Sequence, residues 1–212
     1  MSLNENEAVV LFEELRTASG QRFGLATLNA PASLHALSLD MIDLLYPQLL
    51  AWQHDPEVVG VLLRGAGDKA FCAGGDVVKM ARAIQQAHAD AAGGEVPVAA
   101  EAQAFFEREY RLDYLIHTFG KPFLVWGNGI VMGGGIGLII GASHRVVTPK
   151  SRLAMPEITI GLFPDVGGSW FLNRLPGGQG PFLALTGALM NAADALYTGM
   201  ADFVLPHDTL PE

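Results

Sequence analysis

Cysteine is all but absent: Cys72 stands alone in 212 residues, so no intrachain disulfide can form. A lone thiol fits a reducing compartment and reads as a small, buried apolar side chain. Charge is sparse at 17% of residues, and positive charge sparser still, with 13 Lys and Arg against 22 Asp and Glu and a net charge of -9. The basic residues are scattered rather than striped, which excludes nonspecific binding to nucleic acid or to an anionic membrane. No long apolar run exists either. The most apolar stretch, Ile130 to Ala142, is dense in glycine and too short to cross a bilayer. The N-terminal MSLNENEAVVLFEEL lacks a basic segment leading into an apolar one, and it lacks the Arg-rich amphipathic pattern of a transit sequence. A soluble cytoplasmic protein is expected.

Signatures of several chemistries are missing too. The histidines (His35, His54, His88, His117, His144 and His207) form no H-E-x-x-H pattern and no local ligand cluster, so no metal site is expected. No G-x-S-x-G elbow supports a serine hydrolase. The glycine-rich run Met132-Gly133-Gly134-Gly135-Ile136-Gly137-Leu138 fails the dinucleotide spacing, because Ile140 stands three after Gly137, and no Lys-Ser/Thr pair follows to make a P-loop.

Half of the residues are apolar, enough to bury a sizeable core in one domain over residues 1–212. Short β-rich runs (Val9 to Phe12, Phe23 to Leu28, Val58 to Leu63, Phe123 to Trp126, His144 to Val147) alternate with segments of helical period. The helical segments are Leu39 to Trp52, Val77 to His88 and Glu101 to Phe119, with Gln179 to Thr186 and Asn191 to Tyr197 near the end. This alternation predicts an α/β fold. No internal repeat of fixed period is present, and Ala91 to Ala100 reads as a flexible connector, either a flap beside a site or a surface excursion.

Four constellations could carry chemistry. Phe71-Cys72-Ala73-Gly74-Gly75-Asp76 lies between a predicted strand and a predicted helix, where unpaired N–H groups face outward and glycine lets a ligand approach the main chain. The plainer account is a βα turn with Asp76 as helix N-cap. The triplet Gly133-Gly134-Gly135 can present a second free N–H, and two donors converging on one carbonyl oxygen make an oxyanion hole; alternatively, small residues there only permit close helix packing. In Met155 through Gly168, Glu157 and Asp165 each follow a proline among apolar residues. Such acids tend toward raised pKa values and acid/base or nucleophilic work, unless they are surface turn residues. Finally, helical spacing sets Glu109 on one face with Phe105, Phe106 and Leu112, where it needs either a partner (Arg108, Arg111 or Lys121) or a purpose.

Taken together, the segments Ala70 to Asp76, Met132 to Gly135 and Met155 to Gly168 resemble, in order and spacing, the motifs of the crotonase (enoyl-CoA hydratase/isomerase) superfamily. The resemblance runs from about Val9 to Leu205. It implies an α/β fold with a ββα spiral core, homo-oligomers such as trimers, and an oxyanion hole for a coenzyme A thioester built from the N–H groups of Gly75 and Gly134. Hydratases of this superfamily carry a glutamate where this chain has Gly137. The acids Glu109, Glu157 and Asp165 instead resemble the 3-hydroxyisobutyryl-CoA hydrolase branch, a thioesterase of valine catabolism. The resemblance therefore implies Glu157 as nucleophile or general base, Asp165 as the residue orienting hydroxyl or water, and Glu109 lining the acyl pocket. Ala73, Gly74, Asp76 and Gly133 would complete the substrate contacts. No cofactor beyond the substrate's own coenzyme A is expected. Two departures from the resemblance stand out: Ala32 and His35 replace the usual basic residue and asparagine, and the further C-terminal helical region of this branch is expected to be shortened or absent here, the sequence being either a fragment or a short member of the branch.

Overall fold

The computed structural model describes residues 8–91 and 98–210. Part of the expected connector at Ala91 to Ala100 and the first residues of the N-terminal segment lie outside the described residues.

Among the described residues, nine strands form two sheets. The larger contains β1 (Val10–Arg16), β2 (Arg22–Leu28), β3 (Val58–Gly65), β5 (Phe123–Gly127), β7 (His144–Val147) and β9 (Phe203–Val204), in that order. Among the described strands of this sheet only the β1–β2 pair is antiparallel; every later neighbour is parallel, with Leu63 beside Val125 and Trp126 beside Val146. The smaller sheet is all parallel and joins β4 (Ala70–Cys72), β6 (Ile130–Met132) and β8 (Arg152–Ala154). Parallel strands covered on both faces read as continuous apolar runs. VVGVLLRG in β3 and FLVWG in β5 are such runs.

Helices α1 (Leu39–His54), α2 (Val77–Asp90), α3 (Ala100–His117), α4 (Gly134–Ile140), α5 (Gly168–Phe171), α6 (Gln179–Thr186) and α7 (Ala192–Thr198) complete the chain. The Ser38 hydroxyl caps α1 by accepting from Met41 N–H at 3.2 Å. That helix buries Met41, Ile42, Leu45, Leu49 and Trp52 along one stripe. Helix α3 buries Ala102, Phe105, Leu112 and Ile116 in the same manner, and Glu109 lies on that buried stripe.

The path repeats a unit of large-sheet strand, small-sheet strand and helical turn: β3–β4–α2, then β5–β6–α4, then β7–β8 and a 3-10 turn at Glu157–Ile160. The repeat is spatial and unevenly spaced, because α3 is inserted between its first two turns, so no fixed period marks the sequence. The three-residue strands of the small sheet escape a period-2 reading for the same reason of brevity. The first strand extends beyond the expected Phe12 to Arg16, since β1 is an edge strand whose outer end is exposed and carries Glu13, Glu14 and Arg16.

Candidate active site

Each turn of the spiral passes from a small-sheet strand into a helix or 3-10 turn, and the three such junctions meet. At the first, Ala73, Gly74 and Gly75 leave β4; Asp76 then caps α2, its carboxylate accepting from Lys79 N–H at 3.1 Å. At the second, Gly133 turns the chain with φ of +49° and Gly134 opens α4. At the third, β8 gives way to Met155-Pro156 and the turn beginning at Glu157.

The contacts are close enough to exclude side chains. A Cβ on Gly74 would stand 3.1 Å from Met132 O and 3.7 Å from Gly134 N. On Gly134 it would collide with Glu109 Oε1 and lie 3.3 Å from the Gly75 nitrogen, and on Gly133 it would lie 2.9 Å from Glu157 Oε1. The two glycine loops, Glu109 and Glu157 therefore share one small volume. Among the described residues the N–H groups of Gly75 and Gly134 have no acceptor. The volume opens as a cleft of about 170 Å³ bordered by Ala73, Gly74, Gly133, Glu157 and Asp165, with Phe105 and Phe106 on its apolar side. Asp76 does not border this cleft; its side chain serves the helix cap.

Among the described residues none of these acids forms an ion pair. Glu109 is 1% exposed. The cations near it in sequence are used elsewhere: Arg108 pairs with Asp43, Arg111 with Glu107, and Lys121 donates to the carbonyls of Trp52 and Asp55. Burial pushes the Glu109 carboxyl up to about 8, helped by the charges of Asp165 and Glu157. Glu157 is 6% exposed with Oε2 unpartnered, and burial lifts it to about 7, partly countered by its own backbone N–H. Asp165 is raised by burial and lowered again by a hydrogen bond from the Tyr110 hydroxyl to Oδ2 at 2.8 Å. Cys72, beneath the first loop, is fully buried, and that burial lifts its thiol to about 12.

The matching family model, described as enoyl-CoA hydratase/isomerase, covers residues 23–212. The chain belongs to the enoyl-CoA hydratase/isomerase family. Among family relatives, the mitochondrial 3-hydroxyisobutyryl-CoA hydrolase of Gallus gallus is 48% identical over 189 residues, covering 89% of this chain and 46% of that protein. The Homo sapiens protein of the same name is 44% identical over 187 residues, 88% of this chain and 46% of its own length. The crystal structure of a carnitinyl-CoA dehydratase from Mycobacterium thermoresistibile superposes with a TM-score of 0.84 at 40% identity, over 95% of this chain and 54% of that one. The chain thus spans about half the length of the curated relatives it matches, and its mixed α/β fold is the crotonase-like one. Those two hydrolases are named mitochondrial, which lends no support to the expected cytoplasmic location; no described helix is long and apolar enough to cross a membrane.

Within this family frame, two neighbours of the cleft escaped the sequence reading. Asp113, one helical turn after Glu109, has both carboxylate oxygens buried without a partner, and burial holds it well above the usual carboxylate range. Tyr110 holds Asp165. Position i+4 from a buried acid was the available signal for Asp113, and adjacency to Glu109 for Tyr110.

Proposed function

We propose that residues 1–212 form one catalytic core that hydrolyses a short 3-hydroxyacyl-CoA thioester such as 3-hydroxyisobutyryl-CoA. The observation that carries the reading is the meeting of two acceptor-free amides with a buried glutamate whose Oε2 has no partner and whose pKa lies near 7. The Gly75 and Gly134 N–H groups receive the thioester oxygen, and their hydrogen bonds strengthen as that oxygen becomes an anion. Glu157, ionised for a large fraction of the time near neutrality, either adds to the carbonyl carbon or takes a proton from the water that does so. Collapse of the tetrahedral species breaks the C–S bond, and the departing thiolate of coenzyme A takes up a proton; where Glu157 is the nucleophile, water then hydrolyses the acyl-glutamyl anhydride so formed, releasing the acid and restoring the carboxylate. The sum consumes one water and yields a hydroxy acid and free thiol.

The remaining acids divide the other tasks. Asp165 orients the substrate hydroxyl or the water. Glu109, protonated below about pH 8, lines the acyl pocket as a hydrogen-bond donor. Gly137 supports hydrolysis over hydration, because it leaves the family's hydratase glutamate without a counterpart at that position. No group beyond the substrate's coenzyme A is needed for this chemistry. A homo-oligomer, trimeric or related, is supported by the apolar side chains exposed between Ile158 and Tyr197, among them Phe163, Phe182 and Leu185.

Similarity to a dehydratase structure favours one second reading, in which Glu157 and Asp165 shuttle a proton during hydration or isomerisation of an enoyl-CoA. Thiol release from 3-hydroxyisobutyryl-CoA, set beside the absorbance change on crotonyl-CoA, separates the two. Hydrolysis by the parent and its near-complete loss in Glu157→Gln, with coenzyme A esters still bound, is the expected result. Turnover of crotonyl-CoA alone overturns it, and binding without either turnover leaves an acyl-CoA-binding module.

A further inference from the structure

Asp165 sits on an irregular stretch between the Glu157–Ile160 turn and α5, where Gly161, Val166 and Gly167 take φ values of +75°, +43° and +83°. The left-handed region is unfavourable for a β-branched residue, costing about 1–3 kcal/mol, so Val166 must be held there by its surroundings. Its side chain is 3% exposed and packs against Gly137, where an added Cβ would lie 2.7 Å from Val166 Cβ. The backbone beside Asp165 is thus anchored, and its carboxylate accepts from its own backbone N–H and makes a single side-chain hydrogen bond among the described residues. That bond comes from Tyr110.

Tyr110 is placed to act from behind. It follows Glu109 on α3, its ring tilts against Phe106 with centroids 5.9 Å apart, and it borders a neighbouring cavity of about 380 Å³ rather than the cleft. Asp165 borders the cleft and not that cavity. The hydroxyl that grips Oδ2 thus belongs to a residue lining the neighbouring cavity rather than the cleft. The titratable groups around Asp165 are Tyr110, Glu109 and Asp113 from α3 and Glu157 from the 3-10 turn. Three of these four are carboxyls, which oppose a further negative charge.

We propose that Tyr110 is a positioning residue for this site: its hydroxyl, donating to Oδ2, fixes the orientation of the Asp165 carboxylate at the edge of the cleft. The kinetic part of this proposal rests on the hydrolase reading. A donor to the charged form stabilises that form, so removing the hydroxyl frees the side chain to rotate and makes it easier to protonate.

Tyr110→Phe keeps the ring and its packing and removes only the donor. In the full chain with 13C-labelled aspartate carboxyls, the Asp165 resonance should titrate at higher pH in Tyr110→Phe than in the parent. Hydrolysis should lose about 10- to 100-fold in kcat, a misplacement effect, with KM held within about 2-fold, and its acid limb should move to higher pH. Asp165→Asn and the double variant Tyr110→Phe/Asp165→Asn should be equally slow, because the tyrosine acts through the aspartate. An Asp165 titration unchanged in Tyr110→Phe overturns the proposal, as does a double variant much slower than Asp165→Asn. A shifted titration in a protein that hydrolyses no acyl-CoA would sink the hydrolase reading and leave the positioning role standing.

Discussion

The carboxylate of Asp113 lies over Gly137, so that a Cβ at that glycine would be 2.9 Å from both of its oxygens and 2.7 Å from Val166 Cβ. The space beside Gly137, where the resemblance implies a hydratase glutamate, is filled from two other segments. Gly137→Ala should therefore destabilise the fold by about 1–3 kcal/mol through overpacking. Gly137→Glu should fail to confer crotonyl-CoA hydration. Urea midpoints read the first effect, with Asp113→Ala in the same chain giving only partial relief because Val166 still crowds the site. A Gly137→Ala protein as stable as the parent would mean that this space is open.

Glu109 ties the site to the stability of the whole fold. Its carboxyl ionises near the ordinary value of 4.5 when the chain is unfolded and near 8 when folded. The unfolded state then releases the proton first as pH rises, so this group's contribution is fully present below 4.5 and is lost progressively up to about 8. At pH 7 the deficit is roughly 3 kcal/mol. Glu109→Gln keeps the neutral shape and removes the titration. Its urea midpoint should exceed that of the parent at pH 8 and approach it near pH 5. A gap that ignores pH contradicts the assignment.

Much of this site is legible in the sequence because glycine is informative where chains touch. Gly74, Gly133 and Gly134 stand where a Cβ would meet another loop or an acid, and Glu109 declares its burial by falling on the Phe105–Leu112 stripe. Asp76 is ambiguous in sequence, since a cap and a ligand-binding acid demand the same residue at a helix start; the structure gives it to the cap. Asp113 and Tyr110 are hidden for a different reason. The stripe does not include them, and their surroundings come from Gly137, Val166 and Asp165, all on later turns of the spiral. The alternation of strands and helices foretells an α/β fold, whereas the two-sheet spiral depends on three-residue strands too short to show a period.

His35 supports the segment that clasps the first glycine loop. The ring is 1% exposed, with Nδ1 accepting from Ala30 N–H at 3.0 Å and Nε2–H donating to Ala66 O at 2.9 Å, so one neutral tautomer satisfies both sides. Leu34 and His35 both take left-handed φ values, of 53° and 55°, which this pair of hydrogen bonds helps to hold. The same segment clasps the glycine loop: Ala73 N–H donates to Leu34 O, Leu37 N–H to Gly74 O, and Asp76 N–H to Leu37 O. Burial lowers the His35 pKa, with the Ala66 bond opposing in part. Protonation would turn Nδ1 from acceptor to donor against the Ala30 N–H. Stability from this residue is therefore complete above the unfolded value of about 6.5 and falls as pH drops from there toward the lower folded value. His35→Ala should cost about 1–3 kcal/mol at pH 7.5 by emptying a buried site and leaving two part-buried groups without their partner. The gap to the parent should narrow at pH 5.5, because only the parent has a proton to take up. Melting temperatures of both proteins at the two pH values provide the check, and a gap of equal size at each would show that the imidazole is not held neutral.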